Sequence, residues 1–317
     1  MVNGGTVELG LFVEPQMGGS HRRLVELAQW AEARGIEAFA RSDHYLNMDE
    51  SAPTTDALTS LAAVAAETSE IRLITLVSPI TFRHPAVMAK SATTIDEISG
   101  GRFTLGVGTG WMETEHDAFG LDLPPMGERF DRLEEALAYI RTVFAGGGVT
   151  DGNHYALDQD PISPPGSDGL EIVVGGGGPR KTPRLAGTYA DEYNMFVTDA
   201  ETLASRVSVM RDAALAVGRD PDGILVSFAG PAMVFADEDE YLEVASGRAH
   251  KRDMPLDDYR AMLTSRFVPH GTPDEAADAI SRMADAGIGR YYVQEYAHLD
   301  DLDLDALGVV FDALRTS

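Results

Sequence analysis

Cysteine is absent from the 317 residues. Its absence excludes disulfides, thiolate metal sites and a thiol nucleophile, and suits a reducing compartment. Positive charge is scarce: 25 Lys and Arg stand against 51 Asp and Glu, a formal charge of −26. A chain this acidic repels nucleic-acid phosphates and the anionic leaflet of a membrane, so no nucleic acid and no membrane are expected as partners. No run of about 18 apolar residues occurs, and Met1–Gly10 lacks the basic start and apolar stretch of a signal peptide. The expectation is a soluble, cytoplasmic protein that handles a small molecule. His21, His116, His154, His250, His270 and His298 have no ligand spacing with one another or with carboxylates, so no metal is expected. A Gly-x-Ser-x-Gly elbow is also missing, which disfavours a hydrolase.

What is present is alternation. Short β-branched or apolar runs at Val7–Val13, Ile36–Arg41, Ile71–Ser78, Arg102–Val107, Glu171–Val174, Glu192–Phe196, Ile224–Ala229 and Tyr291–Gln294 are separated by longer segments, several of them of helical period. Helices are expected over Arg22–Arg34, Asp56–Thr68, Ala86–Ile98 and Glu128–Phe144, the last with Leu133, Leu137, Ile140 and Phe144 on one face. Thr272, Pro273 and Glu275 form a capping box with proline at the first helical position, and Gly287 ends that helix. Eight such units predict one α/β domain, a closed (β/α)8 barrel spanning 1–317. Two segments exceed the repeat: Gly146–Gly169, and Phe235–Phe267 with one extra helix; excursions of this kind serve as lids or oligomer contacts.

In such a barrel ligands gather at the carboxyl ends of the strands. Gly108, Thr109 and Gly110 end one strand, where missing side chains let a flat ligand lie on backbone. Asp43 and His44 end another; the imidazole moves a proton near neutral pH, and the adjacent acid could orient the ring or bond a ligand. Gly175, Gly176, Gly177 and Gly178 precede Pro179 and a helix start, a concave nest of amides suited to a phosphate, with Arg180, Lys181 and Arg184 close behind. Glu14 and Gln16 are pocket candidates. Trp111 either walls the pocket or packs on the helix at Glu128–Phe144. Glu113 and Glu115 read as helix-start or surface carboxylates, and His84 as a loop hydrogen-bonder.

Taken in order, Arg41-Ser42-Asp43-His44, Thr68 to Leu73, Arg83-His84-Pro85-Ala86-Val87, Ile98 to Arg102, Gly108 to Trp111, Arg129 to Glu135 and the glycine run ending at Pro179 resemble the luciferase-like monooxygenase superfamily, in its branch that uses the deazaflavin coenzyme F420. The resemblance runs from about Val7 to Phe196. It implies a luciferase-like TIM barrel, usually a homodimer, that passes a hydride between F420 and a small organic substrate. Asp43 and His44 match positions at the deazaflavin ring, Gly108–Gly110 the backbone beside it, and Gly175–Gly178 the phosphate cradle. Thr75 and Leu76 match a non-proline cis peptide behind the ring. Trp111 departs from the sugar-phosphate dehydrogenase branch, which has an acidic proton donor there; Glu113 or Glu115 nearby could stand in for it, against their reading as helix-start or surface carboxylates. Two alternatives fit the same scaffold: an FMN-dependent monooxygenase using dioxygen, and a non-catalytic flavin-binding barrel.

Overall fold

The computed structural model describes residues 6–47 and 53–315; the first five residues of Met1–Gly10 therefore lie outside it. The chain runs β1 (Glu8–Val13), α1 (His21–Ala33), β2 (Ala38–Arg41), α2 (Ala57–Glu67), β3 (Arg72–Thr75), β4 (Ser78–Pro79), α3 (Pro85–Ser99), β5 (Phe103–Gly108), α4 (Glu113–Phe119), α5 (Met126–Phe144), β6 (Gly148–Asp151) and β7 (Ala156–Gln159). It continues with β8 (Glu171–Gly175), α6 (Lys181–Tyr189), β9 (Glu192–Phe196), α7 (Ala200–Ala216), β10 (Leu225–Gly230), β11 (Met233–Val234), α8 (Glu238–His250), α9 (Leu256–Ser265), β12 (His270–Gly271), α10 (Pro273–Asp285), β13 (Arg290–Glu295) and α11 (Leu304–Arg315). The main sheet has the order β3-β2-β1-β13-β10-β9-β8-β5-β4, and a further β3–β5 pairing closes it. Every pairing in it is parallel. The barrel expected from the alternation is the barrel that forms.

Its strands are apolar on both faces because both are covered. Leu9, Leu11 and Val13 of β1 join Phe39, Leu105 and Val293 in the layer under the helices, while Phe12, Ala40, Ile74, Val173, Ala229 and Tyr292 fill the barrel interior. Size is matched within that interior: a Cβ at Gly10 would sit 2.6 Å from the Tyr292 ring. At the amino-terminal end a buried ion pair crosses the barrel. Arg290 binds Glu192 at 2.5 Å and Glu8 at 2.5 Å, and Tyr292 and Ser227 donate to Glu192.

The additions take their own forms. Gly146–Gly169 holds the β6–β7 hairpin, whose turn amides at Asn153, His154 and Tyr155 donate to the Glu135 carboxylate. Phe235–Phe267 holds two helices where one was expected. Asp253 at φ 52 and Pro255 at the α9 cap divide the segment, and Met233, Tyr241, Tyr259 and Leu263 give it a small core of its own. The capping box at Thr272 and Glu275 is present. Among the described residues no helix is long and apolar enough to cross a membrane.

Candidate active site

A cavity of about 540 Å³ opens at the carboxyl ends of the strands. Glu14 and Gln16 reach it after β1, Ser42, Asp43 and His44 after β2, and Gly108, Thr109, Gly110 and Trp111 from β5 onward. Leu76, Val77 and Pro79 line it between and within β3 and β4, Gly175–Gly177 at β8, Asn194–Phe196 at β9, Ala229 at β10, and Gln294 and Tyr296 at β13. Thr75 is not among them. It is fully buried one layer down, where its Oγ1 accepts from the Gly106 amide at 2.9 Å.

The strand expected over Ile71–Ser78 is broken. A cis peptide lies at Leu76–Val77, one residue beyond the Thr75–Leu76 bond expected to carry it. Val77 packs against glycines: a Cβ at Gly108 or Gly175 would lie 2.8 Å from its methyl groups, and one at Gly106 would lie 1.9 Å from the Thr75 carbonyl oxygen and 2.9 Å from Val77. The side chains missing at Gly108 and Gly175 thus make room for Val77, and both glycines meet the cavity through backbone.

Glu115 is the acid that holds His44. His44 Nδ1 donates to Glu115 Oε2 at 2.9 Å, and the amides of Tyr45 and Leu46 donate to Oε1. Burial opposes charge on the imidazole, but the hydrogen bond and charge of Glu115, aided by Glu14 and Asp43, outweigh it and raise the pKa above the usual histidine value. Burial likewise pushes the Glu115 carboxyl up, yet the His44 bond and the two amides bring it below its usual range. Asp43, the acid expected to orient the ring, is engaged elsewhere. It binds Arg83 at 2.5 and 3.2 Å and accepts from Ser78 Oγ at 2.7 Å. Trp111 is 68% exposed and meets His44 edge-on, ring centroids 5.9 Å apart, so it walls the cavity rather than packing on α5.

Amides and carboxylates knit the other side. Glu14 accepts from Gln16 Nε2 at 2.7 Å and Gln294 Nε2 at 2.5 Å, and Gln16 Oε1 accepts from Ser42 at 2.7 Å. This orientation of Gln294 leaves its Oε1 buried with no partner among the described residues.

The glycine run is narrower as a nest than its sequence suggests. Gly175 belongs to β8, and the Gly176 amide donates to the Asn194 carbonyl at 3.2 Å. The amides of Gly177 and Gly178 remain ahead of α6, and Gly178 stands back from the cavity against Thr182. Lys181 and Arg184 face Asp131 and Glu134, at 3.9 and 2.6 Å, which offsets their charge. Two other cations back the glycines. Arg206 donates to the Gly177 carbonyl at 2.9 Å and Arg129 to the Gly110 carbonyl at 2.5 Å, and each has a buried Nε with no partner among the described residues.

The cavity thus lies at the mouth of a parallel barrel, with the residues of a non-proline cis bond, Leu76 and Val77, in its lining. The sequence model described as luciferase-like monooxygenase matches residues 7–290. The chain belongs to the luciferase-like monooxygenase family. Within it, an F420-dependent glucose-6-phosphate dehydrogenase of Microbacterium testaceum is 30% identical over 297 residues, covering 87% of this chain and 88% of that one. An F420-dependent secondary alcohol dehydrogenase, solved with an F420-acetone adduct, superposes with TM-score 0.79 at 20% identity, covering 98% of this chain and 100% of that one. A riboflavin lyase solved with modified FMN gives TM-score 0.78 at 16% identity over 98% and 92%. These two show the shared fold.

For this luciferase-like chain, sequence reasoning missed Asn194, Phe196, Gln294 and Tyr296, and misplaced Glu115, expected at a helix start or the surface but 1% exposed and bonded to His44. The strand-end residues were within reach of the rule that placed Asp43 and His44, since β9 and β13 also end at the mouth. The pairing of Glu115 with His44 had no such rule behind it: α4 has seven residues, and it buries Glu115 and His116 rather than an apolar stripe.

Proposed function

We propose that this chain is an oxidoreductase that uses coenzyme F420 to move a hydride to or from a small organic substrate at the barrel mouth. The observation that carries the reading is that His44, braced by Glu115, and the glycine-backed segment at Leu76–Val77 face one cavity. A proton-handling group and a backbone-lined seat for a flat ring thus share one space. The F420 dependence in the names of the curated relatives supports the choice of carrier.

The residues present suit that group. Asp43, Leu76, Gly108, Thr109 and Gly110 would border its ring, and the unpartnered Gln294 Oε1 would accept from a ring N–H. Its phosphate would be held by the amides of Gly177 and Gly178, with Arg206 and Arg129 supplying positive charge from behind. Bound there, the deazaflavin supplies a ring carbon that gives or accepts a hydride. His44 takes or returns the accompanying proton at Nε2, since Nδ1 is committed to Glu115. The reading includes one domain over 1–317, a homodimer, a cytoplasmic location and no nucleic-acid partner; sedimentation at about twice the 34.1 kDa chain mass checks the dimer.

Spectral titration with F420 and with FMN tests the carrier. Saturable F420 binding at least about tenfold tighter than FMN is expected, a gap of roughly 1.4 kcal/mol. Tighter FMN binding with substrate-coupled oxygen uptake would reassign the chain as a flavin monooxygenase, and cofactor binding without turnover of any substrate would leave a binding barrel.

A further inference from the structure

Charge is unevenly placed around the cavity. Among the described lining residues the acidic ones are Glu14 and Asp43, His44 is the one group that can turn cationic, and lysine and arginine are absent. Asp43 is neutralised by Arg83. Glu14 is 5% exposed, has no ion-pair partner among the described residues, and is satisfied by the amides of Gln16 and Gln294. The arginines nearest the cavity, Arg129 and Arg206, are not among its lining and lie behind the glycine segments, each with one terminal nitrogen on a backbone carbonyl. On the proposed reading, that side belongs to the phosphate of the carrier.

The rest of the mouth is aromatic. Trp111, Phe196 and Tyr296 extend from the ends of β5, β9 and β13 and stand largely exposed. Such apolar surface, open to water and gathered round one mouth, gains from covering an apolar body. An anionic substrate would give up water for indole, phenyl and phenol surfaces with no cation to receive it, and would face the Glu14 carboxylate. A cationic one would meet Glu14 only as a residue 5% exposed whose carboxylate already accepts from the Gln16 and Gln294 amides.

We propose that this cavity selects an uncharged, largely apolar substrate carrying a hydroxyl or carbonyl oxygen, and rejects phosphorylated and carboxylated ones. The hydroxyl or carbonyl rests on the reading of the function above; the charge and polarity rest on the lining alone. The chain would then not share the sugar-phosphate specificity named for its curated relatives.

Ligand binding can be read without turnover. The chain has two tryptophans, and Trp30 packs edge-on against Phe311 beneath Arg34, so fluorescence that responds to occupancy of the mouth belongs to Trp111. Four probes are titrated, into the protein alone and again after F420 loading: cyclohexanone, the same ring bearing a carboxylate, the same ring bearing an ammonium group, and glucose 6-phosphate. Calorimetry on the unmodified protein gives each dissociation constant independently, and Trp111→Phe should abolish the optical signal. The expected result is cyclohexanone binding at least tenfold tighter than any charged probe, with a constant that high salt leaves unchanged. Preference for the phosphate, the carboxylate or the ammonium probe overturns the proposal, as does binding of no probe by either method. A chain that binds F420 but prefers glucose 6-phosphate keeps the proposed function and loses this substrate class; one that prefers cyclohexanone but ignores F420 does the reverse.

Discussion

At the scale of single residues, the proposed chemistry turns on the pairing of His44 with Glu115. A buried carboxylate on Nδ1 fixes the ring and favours its charged form, so the imidazole titrates above its usual value. For oxidation of a hydroxyl the ring must start neutral, so kcat/KM should rise as pH passes that raised pKa. Glu115→Gln removes the charge and the rise should move to lower pH, whereas Glu115→Asp should hold it nearer its original place. A profile that stays fixed in Glu115→Gln would show that the carboxylate does not act through the ring. His44→Ala should lower kcat by about 10²-fold or more, the usual range for a general acid–base group, while the F420 dissociation constant changes little. Unchanged turnover at saturating substrate would remove His44 from the proton path.

At the scale of elements, the break between β3 and β4 packs against glycines of two other strands. Gly108 and Gly175 leave the space that Val77 fills, Gly106 chiefly that of the Thr75 carbonyl, and Gly175 has a φ that an L-residue can adopt, so space alone opposes a side chain there. Gly175→Ala should therefore destabilise by about 1–3 kcal/mol through overpacking. Adding Val77→Ala should recover part of that loss, a coupling read from urea unfolding of the two single variants and the double. Simple additivity would mean that the two positions do not compete for the same space. The extension at α8 and α9 has its own small core and leaves the mouth lined by strand ends.

At the scale of the molecule, Arg290 ties β13 to β1 and β9 across the amino-terminal end of the barrel. The Glu192 end of this tie is buried, so removing the cation strands a carboxylate in low dielectric. Arg290→Met should cost about 3–5 kcal/mol. Calorimetric melting checks this, and the double replacement Arg290→Met with Glu192→Gln should cost less than the single one. Across the barrel, at the other end, the aromatic mouth without lysine or arginine offers an anionic substrate no cation.

The alternation of buried strands with amphipathic segments is a local property, and by itself it determined the barrel, the capped helix at Thr272 and the strand ends where Asp43, His44, Gly108 and Gly175 would meet. Residue type alone was enough to mark a histidine and runs of glycine as unusual at such ends. Partnership was decided only in three dimensions. Asp43 adjoins His44 in the chain yet binds Arg83, because Arg83 and Ser78 come to it from the β3–β4 region; Glu115, 71 positions from His44, reaches its ring because α4 folds back over the mouth. That the cis bond lies at Leu76–Val77, and that Gly108 and Gly175 leave packing space for Val77, are likewise facts of the tertiary structure. Periodicity reports which face of an element is buried; which side chains share a hydrogen bond or a void depends on atoms brought together by chain segments far apart in sequence, and no local pattern carries that distance.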